Sequence, residues 1–372
     1  MSLQVYDSIK KNSIKGVRMS DTATQTTSPI SRSFLQGLPK AELHVHIEGT
    51  LEPELKLALA QKHGIKLKQD TVEEIKATYN FNDLPSFLDV YYEGMNVLLD
   101  EDDFYQLAWE YLLKARKDNV RHIEIFFDPQ AHTSRGVSYQ TVVRGLTRAC
   151  KDARALGIDA KLIQCFLRDF SRASAQQHLD ALLDPADELA SLLAEHVIGV
   201  GLDSDEHNNP PLKFYYQYAL AQQKGLHTTA HADIDQLDSI GHIKELLEVL
   251  NIERIDHGTN VVENADLLAL AAKRHVGFTS CPISNSFIND DYKEREVRQL
   301  LDAGVYVCIN SDDPAYFGGY ITDNYKTLAS TGIFSQSDMV EIAKNSFRAS
   351  WISDEAKAVY LAEIDAYVGN QQ

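Results

Sequence analysis

The chain has 372 residues, 44% hydrophobic and 24% charged, enough for one large α/β domain or two ordinary ones; it excludes a wholly disordered chain, a collagen and a small disulfide scaffold. Lys and Arg number 36 against 54 Asp and Glu, and the resulting net charge of -18 repels phosphate backbones and anionic lipid, so a small neutral or cationic molecule is the expected partner, with no nucleic acid and no membrane. No apolar run approaches the roughly 20 residues that cross a bilayer, no basic-then-apolar leader opens the chain, and Cys150, Cys165, Cys281 and Cys308 are too widely spaced for a disulfide framework, so a cytoplasmic protein with reduced thiols is expected.

Residues 1–34 are polar and Ser/Thr-rich without apolar periodicity, and they read as a disordered tail before a single domain over 35–372. From Leu38 onward, short β-branched or aromatic runs alternate with longer amphipathic stretches. The strand-like runs fall at 41–49, 120–129, 160–169, 197–205, 226–233, 252–258, 276–285 and 305–314. Helical stretches lie between them, among them 101–119, 213–224, 240–250 and 265–274. Strand-helix repeats predict parallel pairing, and eight of them predict a closed (β/α)8 TIM barrel. Extra helical sequence over 51–99 predicts a helical insertion after the first strand, near the mouth of the barrel.

In such a barrel the chemistry sits at the C-terminal ends of the strands. The first predicted strand contains His44 and His46, which a period of two places on one face. The fifth ends at His231, the sixth at Asp256 and His257, and the eighth at Asp312 and Asp313. Histidines and carboxylates converging from four strand ends form a mixed nitrogen and oxygen set suited to a divalent transition metal, with zinc the expected ion and an open position for water. Taken alone, an HxH pair is more often a packed pair and a DDP a turn or helix cap. The joint placement at strand ends is what points to a metal. His63, His122, His178, His196, His207, His227, His242 and His275 read as core, surface or cap residues.

The blocks LPKAELHVHIEGTLEP, FFDPQAHTSRG, GVGLDS, HAD, RIDHG, CPISN and NSDDPAYFGGYITDN, in this order from Leu38 to Trp351, resemble the adenosine/adenine deaminase branch of the amidohydrolase superfamily. The resemblance implies one Zn2+ per chain on His44, His46, His231 and Asp312, with His257 as the base beside the metal and Asp313 hydrogen-bonded to a purine ring nitrogen on the imidazole side. It implies hydrolytic deamination, with water activated by the metal attacking C6 and ammonia leaving. IEGTLEPE and NSDDPAYFGGY look more like the adenine than the adenosine enzymes, which favours adenine, going to hypoxanthine, over a nucleoside. An adenosine or N6-substituted adenine deaminase, and a metal-binding relative with another substrate or no turnover, are the alternatives. Glu48 and Ser204, at the first and fourth strand ends, are further candidates to line the pocket.

One block departs from the family pattern. Where the family has HAGE, whose glutamate protonates N1, this chain reads His231-Ala232-Asp233-Ile234, and Ile234 cannot transfer a proton. Asp235, and after it Asp233, are the candidates for that acid; both also suit a helix cap before Ile240. Phe81, Leu84, Phe87, Leu88 and Tyr92 in the insertion sit at helical spacing, as core or as a lid over a flat purine, and Ser284 and Asn285 are expected to brace the site. The oligomeric state is not legible in the sequence.

Overall fold

Eight strands follow one another in chain order around one sheet, β1 to β8, each parallel to the next, in this computed structural model, which describes residues 30–81, 84–232 and 237–371. They are β1 Lys40–Glu42, β2 Val120–Phe127, β3 Asp159–Leu167, β4 Val197–Asp203, β5 His227–Ala232, β6 Arg254–His257, β7 Gly277–Ser280 and β8 Tyr306–Ile309. All eight expected strands are present. Helices cover the outer face, so both faces of each strand are buried, which is why runs such as Ile125-Phe126-Phe127 are continuously apolar.

The first and last strands meet where the chain leaves regular pairing. His46 N–H donates to the Asp312 carbonyl (3.0 Å) and Asp312 N–H to that of His44 (3.1 Å), while Val45 bridges Asp312 and His46 bridges Phe126. Below this seam, side chains take over the ladder. Asn310 Oδ1 accepts from Leu43 N–H at 2.8 Å, and Glu42 Oε1 accepts from Ser311 N–H at 3.1 Å. The backbone that closes the barrel is therefore the backbone that presents His44, His46 and Asp312.

Between β1 and β2 lie the helices Pro53–His63, Val72–Ala77 and Leu84–Gly94, which is the expected insertion, followed by the regular barrel helix Glu101–Lys117. Asp100 and Asp103 form a capping box that starts Glu101–Lys117. The helix Ala265–Arg274 has the expected bounds, and Asn264 caps it. The stretch expected as helix over 240–250 divides into an α-helix, Ser239–Lys244, and a π-turn, Glu245–Val249. Among the described residues no helix is long and apolar enough to cross a membrane.

The expected boundary of the tail is corrected. Residues 32–34, assigned to it, open the helix Arg32–Gly37, with Ser31 Oγ accepting from Phe34 N–H at 3.1 Å. Phe34 packs its ring 5.6 Å from that of Tyr367 on the last helix, and Leu35 is fully buried. The stretch 1–29 of the expected tail lies outside the described residues.

Candidate active site

His44 and His46 follow β1 with one residue between them, and both imidazoles turn to the barrel axis, where His231 from β5 and Asp312 after β8 meet them. His46 Nε2 lies 3.1 Å from His231 Nε2 and 3.5 Å from Asp312 Oδ1, and His44 Nε2 lies 3.2 Å from the same oxygen. All four residues are buried. Donors each about 2.1 Å from a common centre stand about 3.4 Å apart in a tetrahedron, so the spacing fits a divalent metal. Two further features support the fit. His44 Nε2 is buried without a hydrogen-bond partner. The outer nitrogens of two ligands face acceptors: His231 Nδ1 the Leu202 carbonyl at 3.1 Å and His46 Nδ1 Asp203 Oδ2 at 3.4 Å. An N–H on those outer nitrogens leaves each Nε2 lone pair aimed at the shared centre. By the chemistry and spacing of its donors the cluster fits a metal ion.

His257, at the end of β6, places Nε2 3.6 Å from Asp312 Oδ2, beside the four-residue cluster. His257, Asp312 and Ser204 hold left-handed backbone, with φ of 56°, 64° and 70°, an unfavourable conformation for residues with a Cβ and one that clusters at functional sites. Burial opposes the charge on Asp312, but His44, His257 and His46 outweigh it and hold its carboxyl well below the usual range. Burial and the Asp312 charge push Asp313 the other way, well above it. Burial, joined by the neighbouring histidines, lowers His257 to about 4 against the pull of Asp312.

His46, His231, His257, Asp312 and Asp313 open on a cavity that is also lined by Leu84, Phe87 and Leu88 of the insertion and by Phe317. The Leu84–Gly94 helix packs as core and also lines the cavity: Phe87 rests on Phe81, Tyr91 and Phe317 and faces the open space. Asp313 and Ser204 line the cavity as expected, and Ser204 Oγ is 2.9 Å from the Tyr92 hydroxyl. A Cβ on Gly49 would fall 1.9 Å from Asp313 Oδ1, so glycine is what lets this carboxyl sit against the 3-10 turn Glu48–Thr50 that follows β1.

Glu48 is displaced from its expected role. It is fully buried behind the cavity wall, where Oε1 accepts from Asp128 N–H (3.1 Å) and from His132 Nε2 (2.8 Å). The 3-10 turn that starts at Glu48 rotates the side chain away from the pocket. Asp128 and Asp203, at the ends of β2 and β4, line the cavity instead and were not among the expected site residues. Their strand-end position is the signal that would have found them. Asn285, expected to brace, also faces the cavity, and its amide has no partner among the described residues. Asp233 and Asp235, the candidate acids, lie outside the described residues.

The family model described as adenosine deaminase matches residues 39–367. An adenine deaminase of Zymomonas mobilis is 47% identical over 338 residues, 90% of this chain and 97% of its own. The crystal structure of an adenine deaminase from Arthrobacter aurescens superposes with a TM-score of 0.83 at 43% identity, covering 89% of this chain and 99% of that one. An amidohydrolase of Burkholderia ambifaria, solved with bound Zn, superposes with a TM-score of 0.82 at 28% identity, covering 94% and 97%.

Proposed function

The chain belongs to the adenosine deaminase family, and from that premise we propose that it converts adenine and water to hypoxanthine and ammonia, with zinc as its metal. It is a hydrolytic deaminase acting on a carbon-nitrogen bond, here the exocyclic bond between a ring carbon and its amino group. The observation that carries the reading is that His46, His231 and Asp312 of the four-residue cluster, together with His257 and Asp313, line one cavity walled by apolar and aromatic side chains.

His44, His46, His231 and Asp312 would hold the ion, which when bound supplies the Lewis acidity that makes water a nucleophile near neutral pH. His257, kept neutral by burial, accepts the proton that the attacking water gives up as its oxygen adds to C6. Asp313, whose carboxyl burial and the Asp312 charge push well above the usual range, faces the cavity and in its protonated form donates a hydrogen bond to the lone pair of a ring nitrogen on the imidazole side. Asp235, or failing it Asp233, gives N1 the proton that attack demands; the proton that His257 took from water passes to the amino group, which leaves as ammonia, while the hydroxyl on C6 returns its proton to the aspartate and becomes the carbonyl. Phe87, Leu88 and Phe317 pack against the flat ring and keep bulk water from the reacting carbon. The cytoplasmic assignment belongs to the same proposal, supported by four cysteines that are all buried and unpaired.

The test is the rate of ammonia release by zinc-loaded protein on adenine, adenosine, N6-methyladenine, guanine and cytosine. We expect the highest kcat/KM on adenine. A preference for adenosine, or silence on every purine, would overturn the substrate assignment.

A further inference from the structure

Asp256 is fully buried at the barrel axis and has no part in the chemistry above. In the sheet it stands opposite His231 of β5 on one side and Thr279 of β7 on the other. Its Oδ2 accepts from Thr229 Oγ1 at 2.7 Å and its Oδ1 from Thr279 Oγ1 at 3.0 Å. His231 Nδ1 is 3.6 Å and Arg254 Nε 3.8 Å away. The far side of Thr279 Oγ1 is 2.8 Å from His44 Nδ1.

The direction of this chain follows from proton counting. A hydroxyl has one proton, and a carboxylate only accepts. Thr279 therefore spends its proton on Asp256 and meets His44 with a lone pair, so the N–H of His44 is on Nδ1. In a neutral imidazole the lone pair is then on Nε2, the atom buried without a partner 3.2 Å from Asp312 Oδ1. We propose that Asp256, acting through Thr279, is a positioning residue that fixes His44 in its Nδ1–H tautomer and so sets the metal affinity of the site. The inference rests on the metal-site reading. Through Thr279 it concerns His44; His231 Nδ1 meets the Leu202 carbonyl at 3.1 Å and lies 3.6 Å from Asp256 Oδ2, and His46 Nδ1 faces Asp203, so Thr279→Val is the variant that isolates the relay.

The experiment measures the zinc dissociation constant of the full chain by competition with a chromophoric chelator, beside a thermal melt of each metal-free protein. Thr279→Val, which keeps the shape and loses the hydroxyl, should weaken zinc about 10–100-fold, the range typical for partners behind a metal ligand. Thr279→Ser restores the hydroxyl and should stay within about threefold of the parent. Asp256→Asn should weaken zinc comparably, and the double variant no more than the worse single change, since both cut one chain. Should Thr279→Val fail to fold, the Asp256→Asn and Thr279→Ser pair carries the same comparison. Parental affinity in a folded Thr279→Val or Asp256→Asn protein, or losses that multiply in the double variant, overturns the relay. If the parent itself binds no zinc, the metal-site reading fails first and takes the relay with it.

Discussion

Asp312 and Asp313 are consecutive and equally buried, yet they hold their protons oppositely, because Asp312 is ringed by histidines while Asp313 faces the Asp312 charge. Adjacent carboxyls pushed apart in this way can serve different tasks, one as an anionic ligand and one as a hydrogen-bond donor. The proton for N1 must come from elsewhere. Asp235→Asn is expected to lower turnover about 10²–10⁴-fold, the range for losing a general acid, with zinc content unchanged, whereas Asp233→Asn stays within about threefold. The reverse pattern would move the assignment to Asp233, and full activity in both would remove both. Glu48 offers a contrasting case. Glu48→Gln perturbs the acceptor shared by Asp128 N–H and His132, so stability should fall by about 1–3 kcal/mol in urea unfolding while the adenine-to-adenosine rate ratio holds. A changed ratio would restore Glu48 to the pocket.

The Leu84–Gly94 helix joins folding to function, since Phe87 is 4% exposed, rests on Phe81, Tyr91 and Phe317, and still forms part of the cavity wall. Phe87→Ala is expected to lower stability by about 3 kcal/mol and to raise KM for adenine, read by thermal melting and steady-state kinetics. A stable variant with unchanged KM would separate the helix from the site. Strands such as β2 were legible because a barrel buries both their faces and favours continuous apolar runs, whereas β5 and β6 were marked by the polar residues His231 and Asp256-His257 near their C-terminal ends. The side-chain directions beyond the strand ends were not. Glu48 follows its ligand pair by two residues, but a 3-10 turn points it backward. Asp128 and Asp203 stand in FFDP and GLDSD, patterns that read equally well as turns. Ser31 and Phe34 start a helix in a polar stretch where only docking against Tyr367 makes it worthwhile.

At the scale of the whole barrel, the end opposite the metal site is held by a buried ionic network. Glu124 pairs with Arg254 and His122, His122 also reaches Asp159, and the Arg254 guanidinium lies 4.0 Å above the Trp351 ring. For His122, burial is outweighed by Asp159 and Glu124, raising it to about 9 from 6.5; for Glu124, burial is outweighed by Arg254 and His122, lowering it to about 2 from 4.5. A raised histidine stabilises fully below its unfolded value and loses that contribution as pH climbs through its folded one. A depressed carboxylate stabilises fully above its unfolded value and loses that contribution as pH falls through its folded one. The network should thus contribute most between pH 4.5 and 6.5. His122→Gln should lower stability by about 3 kcal/mol at pH 6, with the gap to the parent narrowing toward pH 9 in urea unfolding. A gap independent of pH would mean that His122 is uncharged in the folded chain.

The central claim is that this barrel deaminates adenine through a metal held by His44, His46, His231 and Asp312. Its most direct test is ammonia release from adenine by the full chain as purified, after chelation, and after zinc is returned, with metal content measured at each stage. We expect activity to disappear with the metal and to return at one zinc per chain. Undiminished activity in chelated, metal-free protein would contradict the claim, as would a zinc-loaded chain that leaves adenine untouched.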